Sequence, residues 1–171
     1  QLGYTSSLEG ARRLTENLSS WRMAGELPET LLPRLLTIDL AGNQADLSLW
    51  PVGADGKASL PDLEQVTTRM LVDDNRLLSD YLLRTRPAQL DIILDNAGAE
   101  LIADLFLAAY LLDAGVVESI TLHAKLHPTF VSDTMIKDVH AALDFLQAED
   151  VETARSLASR LQSALAEERF V

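Results

Sequence analysis

The sequence predicts an α/β fold, a three-layer Rossmann-like unit with parallel strands, and three observations carry that expectation. Two short apolar runs, Leu90–Leu94 and Ile120–Ala124, are each the length of a strand and too short for a helix. Between them lies one stretch of helical period, so the order is strand, helix, strand at about residues 90–124. Parallel strands need a crossover of that length, and its right-handed form places the two strands close in one sheet. On either side the pattern is helical.

Taken in order, Leu8, Ala11, Leu14, Leu18 and Trp21 recur at three- and four-residue spacing and predict a first amphipathic helix. A second, short helix is expected after Pro28. Gly42, Asn43, Pro51, Gly53 and Gly56 mark an irregular connection, within which Asp46 to Trp50 alternates as a loop or short edge strand would. Pro61 suits the first turn of a further helix, with Leu63, Val66, Met70, Leu71 and Leu77 as its apolar positions. After the first strand, Leu101, Leu105, Ala108, Ala109 and Leu112 share one side of the crossover helix, which stops near Gly115. Helices from Thr134 to Leu146 and from Val151 to Ala166 complete the chain, the latter with Ala154, Leu157, Leu161 and Leu165 on one face.

The 171 residues, 47% of them hydrophobic, suffice for one domain and its core. A net charge of -12, from 26 acidic against 14 basic residues, repels a phosphate backbone, so nucleic acid is not an expected partner. No stretch is apolar for long enough to cross a bilayer, and Gln1–Ser7 lacks the basic and hydrophobic regions of a signal peptide. A soluble, cytoplasmic protein without a membrane partner is the expectation. With no cysteine, thiolate nucleophiles and thiolate-bound metals are excluded, and any metal must sit on oxygen or imidazole. The lack of an initiator Met and the ending on Phe170-Val171, where an apolar segment begins, predict a piece of a longer protein.

Chemistry gathers at the carboxyl ends of parallel strands. Asp95 and Asn96 leave the first strand there, and Asp133 lies in the loop leaving the second. Two carboxylates and a carboxamide oxygen are hard ligands for Mg²⁺ or Mn²⁺, and the helix beginning near Ala97 and Gly98 aims free amides at the same place. The same residue types also serve as turn formers and helix caps, and the pattern by itself leaves that alternative open. Only Gly98 stands where a dinucleotide or methyltransferase fold wants several glycines. Ala97 stands where an Asp-x-Asp phosphoaspartate mechanism needs its second acid.

His123 and His127 have a spacing seen on zinc-binding helices, yet His123 falls in a strand and Pro128 follows His127, so a structural or substrate-side role is expected of them. Lys125, at the end of the second strand, could pair with a phosphoryl oxygen or stand solvated. Glu100 and Asp104, one turn apart, could continue the acidic site inward, although charge on an exposed helix face is the usual explanation of such a pair, and only Glu100 is near the turn. His140 reads as an ordinary helix residue.

With these residues in place, the chain resembles the damage-control phosphatase family, in its acidic residue methyltransferase-like branch. The resemblance rests on Asp95-Asn96-Ala97-Gly98-Ala99-Glu100-Leu101 with Asp104-Leu105, followed by Lys125, Pro128 and Phe130-Val131-Ser132-Asp133. Gly42-Asn43 with Asp46-Leu47-Ser48, and Leu71-Val72-Asp73-Asp74, resemble two further family segments, so the likeness runs from about Leu40 to about Val139. It departs at Ala41, where the family usually has Trp.

The resemblance implies a metal-dependent phosphatase acting on small phosphorylated metabolites, hexose phosphates such as fructose 1-phosphate or fructose 6-phosphate among them, in a damage-control role. It implies Asp95, Asn96 and Asp133 as metal ligands; beside it, catalysis is expected of Asp95 and Asp133, and substrate binding of Asp95, Asn96, Lys125 and Asn43. Mn²⁺ or Mg²⁺ is the expected cofactor, with Ni²⁺ or Co²⁺ also acceptable. It implies, too, that a carboxyl-terminal lysine- and arginine-bearing segment of the longer family members grips the phosphate. Residues 1–85 are then a mainly helical amino-terminal region and 86–171 the α/β metal-binding region of one domain. The alternatives are an S-adenosylmethionine-dependent protein-glutamate O-methyltransferase, implied by the same branch, and a non-catalytic fragment.

Overall fold

In the computed structural model, residues 27–42, 67–68, 70–150 and 152–170 are described. The expected helix over Leu8–Trp21, the irregular connection from Asn43 onward and the helix start at Pro61 lie outside these residues.

The first described helix, α1 (Pro28–Ala41), opens with Pro28 in its first turn, where the missing N–H leaves no bond unmade. Expected to be short, it runs 14 residues because Leu31, Leu32, Leu35, Leu36 and Ile38 form a continuous buried face. Helix α2 (Asn75–Thr85) packs on it, joined by a buried hydrogen bond from Asn75 Nδ2 to Thr37 Oγ1 at 3.0 Å.

The helix expected to run from Pro61 through Leu77 is instead interrupted. Residues 70–74 are not helical, and α2 begins afresh after Asp73 and Asp74. Asp73 Oδ1 accepts the amide of Asn75 at 3.1 Å, so this acidic pair does what short polar side chains do best and starts a helix rather than continuing one. Leu71 (103% exposed) and Leu77 (68%) consequently stay outside the core to which periodicity assigned them.

The βαβ expectation holds, displaced by one residue in each strand. Strands β1 (Gln89–Ile93) and β2 (Ser119–His123) pair in parallel, from Gln89 opposite Ser119 to Ile93 opposite His123. The crossover helix α3 (Ala99–Asp113) is apolar nearly all round, and a helix of that kind is stable only when enclosed. It is the centre of the core: Leu101, Leu105, Ala108, Ala109 and Leu112 are all buried, and α1 packs on it as do the two helices that follow β2.

Those helices are α4 (Ile136–Ala148) and α5 (Glu152–Ala166), which pack on each other through a three-residue connection. Helix α4 begins two residues later than expected, because Asp138 Oδ2 accepts the amide of Met135 at 2.9 Å and sets the start there. Beyond α5, the chain turns back to the sheet. Ile120 donates its amide to the carbonyl of Arg169 at 2.8 Å, and Phe170, 1% exposed, forms a parallel bridge with Ile120 on the side of β2 away from β1. The described chain is thus an α/β unit of two parallel strands, flanked by this bridge and by five helices.

Candidate active site

The chain leaving β1 and the loop leaving β2 are stitched together by their own backbones. The amide of Lys125 donates to the carbonyl of Thr134 at 2.9 Å, and the amide of Thr134 donates to the carbonyl of Asp95, also at 2.9 Å. One step further, Ala97 donates to the carbonyl of Ser132 at 2.7 Å, and Asn96 and Asp133 face each other in an antiparallel bridge. Residues 37 positions apart are therefore held opposite each other without any help from a ligand. Gly98, at φ 93°, takes a left-handed turn that residues with a Cβ rarely adopt, and α3 begins immediately after it.

The side chains follow. Asp133 is 7% exposed, and its Oδ2 accepts the amides of Thr129 at 2.7 Å and Phe130 at 3.0 Å. Its Oδ1 accepts Lys125 Nζ at 2.9 Å. The lysine first, and then the two amides, pull the Asp133 carboxyl down to about 2. Asp95 is much more open, its side chain 63% exposed, and it takes the same ammonium on Oδ1. Pairing with Asp95 and then with Asp133 holds Lys125 above the usual lysine range.

Behind these groups stands a second layer of acid. Asn96 Nδ2 donates to Asp95 Oδ2 and to Glu100 Oε2, both at 3.0 Å. Gly42, at the end of α1, lies so close to α3 that a Cβ there would come within 2.7 Å of the Glu100 Cα. One turn along α3, Asp104 is 6% exposed and shares a side-chain hydrogen bond with Asp39 of α1. Burial, then the facing Asp39 carboxylate, raises Asp104 to about 9, while burial raises Asp39 to about 6 against the lowering effect of the shared bond. Both carboxyls are thus pushed up together, as expected of two buried acids that share one proton.

Of the residues expected at the site, Asp95, Asn96, Lys125 and Asp133 come together, and Asn43 lies outside the described residues. The reading of Asp104 as an exposed charge is overturned by its burial against α1, and Glu100 is turned toward Asn96 rather than outward. Asp39 was not singled out by sequence reasoning. Its only signal was an acid next to Ile38 and one turn past Leu35, on the buried side of an apolar helix. His123 pairs with Asp91 across the strands at 2.9 Å, as a structural residue would; His127 and His140 are exposed.

Among the described residues no three acidic or imidazole side chains converge as a metal cluster. The donors that do converge are two carboxylates and one carboxamide, and a cationic group already sits between the carboxylates. The carboxamide orientation also suits a cation. Its nitrogen lies between two carboxylate oxygens, which leaves Oδ1 as the end free of them.

Several known proteins with similar sequences carry the same name. The chain is 38% identical over 127 residues to the damage-control phosphatase ARMT1 of Danio rerio, covering 66% of this chain and 27% of that protein. Against the ARMT1 of Bos taurus the identity is 34% over 142 residues, covering 77% and 31%. Against that of Rattus norvegicus it is 29% over 148 residues, covering 81% and 33%. The chain thus spans a third or less of the length of these relatives. The sequence profile of the damage-control phosphatase ARMT1-like domain matches residues 4–171, which is nearly the whole chain, and the protein belongs to that family.

Proposed function

We propose that this chain supplies the metal-binding part of a phosphatase that hydrolyses small phosphorylated metabolites, with hexose phosphates such as fructose 1-phosphate and fructose 6-phosphate as the substrate class. The observation that carries this reading is the meeting of Asp95 and Asp133 on one positively charged group at the strand ends. Asp95, Asn96 and Asp133 would hold a divalent ion, Mn²⁺ or Mg²⁺. Such an ion, when bound, neutralises phosphoryl charge and makes phosphorus more electrophilic.

The chain's own residues divide the remaining work. Asp133, buried and fixed by two backbone amides, is a rigid ligand. Asp95 is open to solvent and is the carboxylate able to orient the attacking water and take its proton. In the reaction a bond forms from the water oxygen to phosphorus. The bond from phosphorus to the sugar oxygen breaks, and that oxygen leaves as an alcohol after gaining a proton. Glu100 keeps the Asn96 carboxamide turned the right way. The parallel bridge of Phe170 to Ile120 supports a larger sheet of the three-layer Rossmann-like kind around this unit.

Phosphate release from fructose 1-phosphate by the full protein, with and without Mn²⁺, tests the proposal. Release should require the ion and fall at least about a hundredfold in Asp95→Ala and Asp133→Ala. Activity that survives both substitutions refutes the assignment.

A further inference from the structure

The Lys125 ammonium lies between Asp95 and Asp133. An ammonium group has three N–H donors. Here all three are used: Nζ donates to the carbonyl of Asp95 at 2.9 Å, to Asp133 Oδ1 at 2.9 Å, and to Asp95 Oδ1. None is left for a phosphoryl oxygen. The partners are the two carboxylates to which the metal is assigned, so the lysine stands where the ion's charge is needed.

The surroundings favour this position. Two carboxylates at this spacing repel each other unless a cation lies between them, and Asp133 is too buried for water to screen it well. The lysine is only half-buried and enters from just beyond the end of β2, where its own backbone amide is tied to the carbonyl of Thr134. Its stem is long enough to withdraw without disturbing that bond. The Asp133 carboxylate remains in place, because its Oδ2 is held by Thr129 and Phe130 rather than by the lysine.

We infer that Lys125 is a built-in counter-ion that occupies the cation's place between Asp95 and Asp133, so that a divalent metal enters by displacing its ammonium. The inference rests on the metal reading proposed above and adds a competitor to it. The observed affinity for metal is the intrinsic affinity reduced by the fraction of molecules whose lysine has withdrawn. Once displaced, the ammonium has free N–H donors beside the site, and only then can it meet a phosphoryl oxygen.

Calorimetric titration of Mn²⁺ alone into the wild-type chain and Lys125→Met provides the test. The Met variant keeps the apolar stem and loses the charge, and it should bind Mn²⁺ at least about tenfold more tightly. Without metal it should melt at a lower temperature than the wild type, with the gap closing at saturating Mn²⁺. Equal or weaker binding by Lys125→Met overturns the inference while leaving the metal site intact. Binding by neither protein overturns the inference and the metal reading together. The wild type gives a second readout that needs no variant: the nitrogen resonance of the Lys125 ammonium should move on addition of Mg²⁺. A resonance unchanged at saturating Mg²⁺ overturns the exchange.

Discussion

The carboxamide of Asn96 donates to Glu100 Oε2 at 3.0 Å, so the first turn of α3 decides which end of that amide faces the strand tips. If the amide were reversed, its oxygen would face two carboxylate oxygens, Asp95 Oδ2 and Glu100 Oε2. Glu100 is in this sense a positioning residue for Asn96. Glu100→Ala should weaken Mn²⁺ binding by about tenfold to a hundredfold, the usual cost of losing an outer partner of a ligand, whereas Glu100→Gln should cost less. Calorimetry on the two variants checks the order, and equal losses would contradict it.

Gly42 lets α1 reach α3 at the level of Glu100. A Cβ at that position meets the Glu100 Cα at 2.7 Å, and backbone on a central helix cannot give way cheaply. Gly42→Ala should destabilise the fold by about 1–3 kcal/mol, the range for overpacking a tight contact. Urea denaturation measures this, and a neutral result would show that α1 can shift at no cost.

The Asp39 and Asp104 pair makes stability depend on pH in the opposite sense to an ordinary ion pair. Both carboxyls hold their protons more tightly in the folded chain than the ordinary value of 3.8. Their contribution is therefore complete below that value and is lost as pH rises through about 6 and then about 9. The charged groups facing the pair include Glu100, which adds repulsion as the proton leaves. Melting temperature should fall between about pH 5 and pH 9, and Asp104→Asn, which keeps a donor at every pH, should flatten that slope. A wild-type curve already flat over this range would contradict the shared proton.

Asp133 gives the opposite sign. Its carboxyl is lowered to about 2, so the stability it lends the 129–133 turn is present above the ordinary carboxyl range and disappears as pH falls toward that value. The amide protons of Thr129 and Phe130, bonded to Asp133 Oδ2, should keep their downfield shifts through pH 4 and lose them only near about 2. Nuclear magnetic resonance on the acid limb reads this directly, and loss of both shifts at the pH of an ordinary carboxyl would count against the Lys125 pairing.

The sequence revealed the parts of this fold in which one signal dominates. Leu90–Leu94 and Ile120–Ala124 are strands because short apolar runs beside an apolar crossover have few other uses, and the structure shifts each by one residue. The parallel pairing followed from crossover length, and the nearness of Asp95 to Asp133 followed from the pairing. Where two signals competed, periodicity misled: Leu71 and Leu77 fit a helical face, but Asp73 and Asp74 between them begin a new helix. Asp104 was misread for a related reason. The spacing from Glu100 marks a surface pair only if that face of α3 meets water, and the face is covered by α1, whose Asp39 lies 65 residues before Asp104 in sequence, a contact that no local pattern encodes. The clip through Thr134 was equally hidden, because backbone bonds between two loops leave no trace in residue type.

The central claim is that the tips of β1 and β2 hold one divalent ion between them, and anomalous X-ray scattering from crystals grown with Mn²⁺ tests it most directly. The predicted result is a single peak about 2.1 Å from one oxygen each of Asp95, Asn96 and Asp133, with Lys125 Nζ moved away from both carboxylates. A fully occupied Lys125 bridge with no peak between Asp95 and Asp133, or a peak bound to other residues, would contradict it.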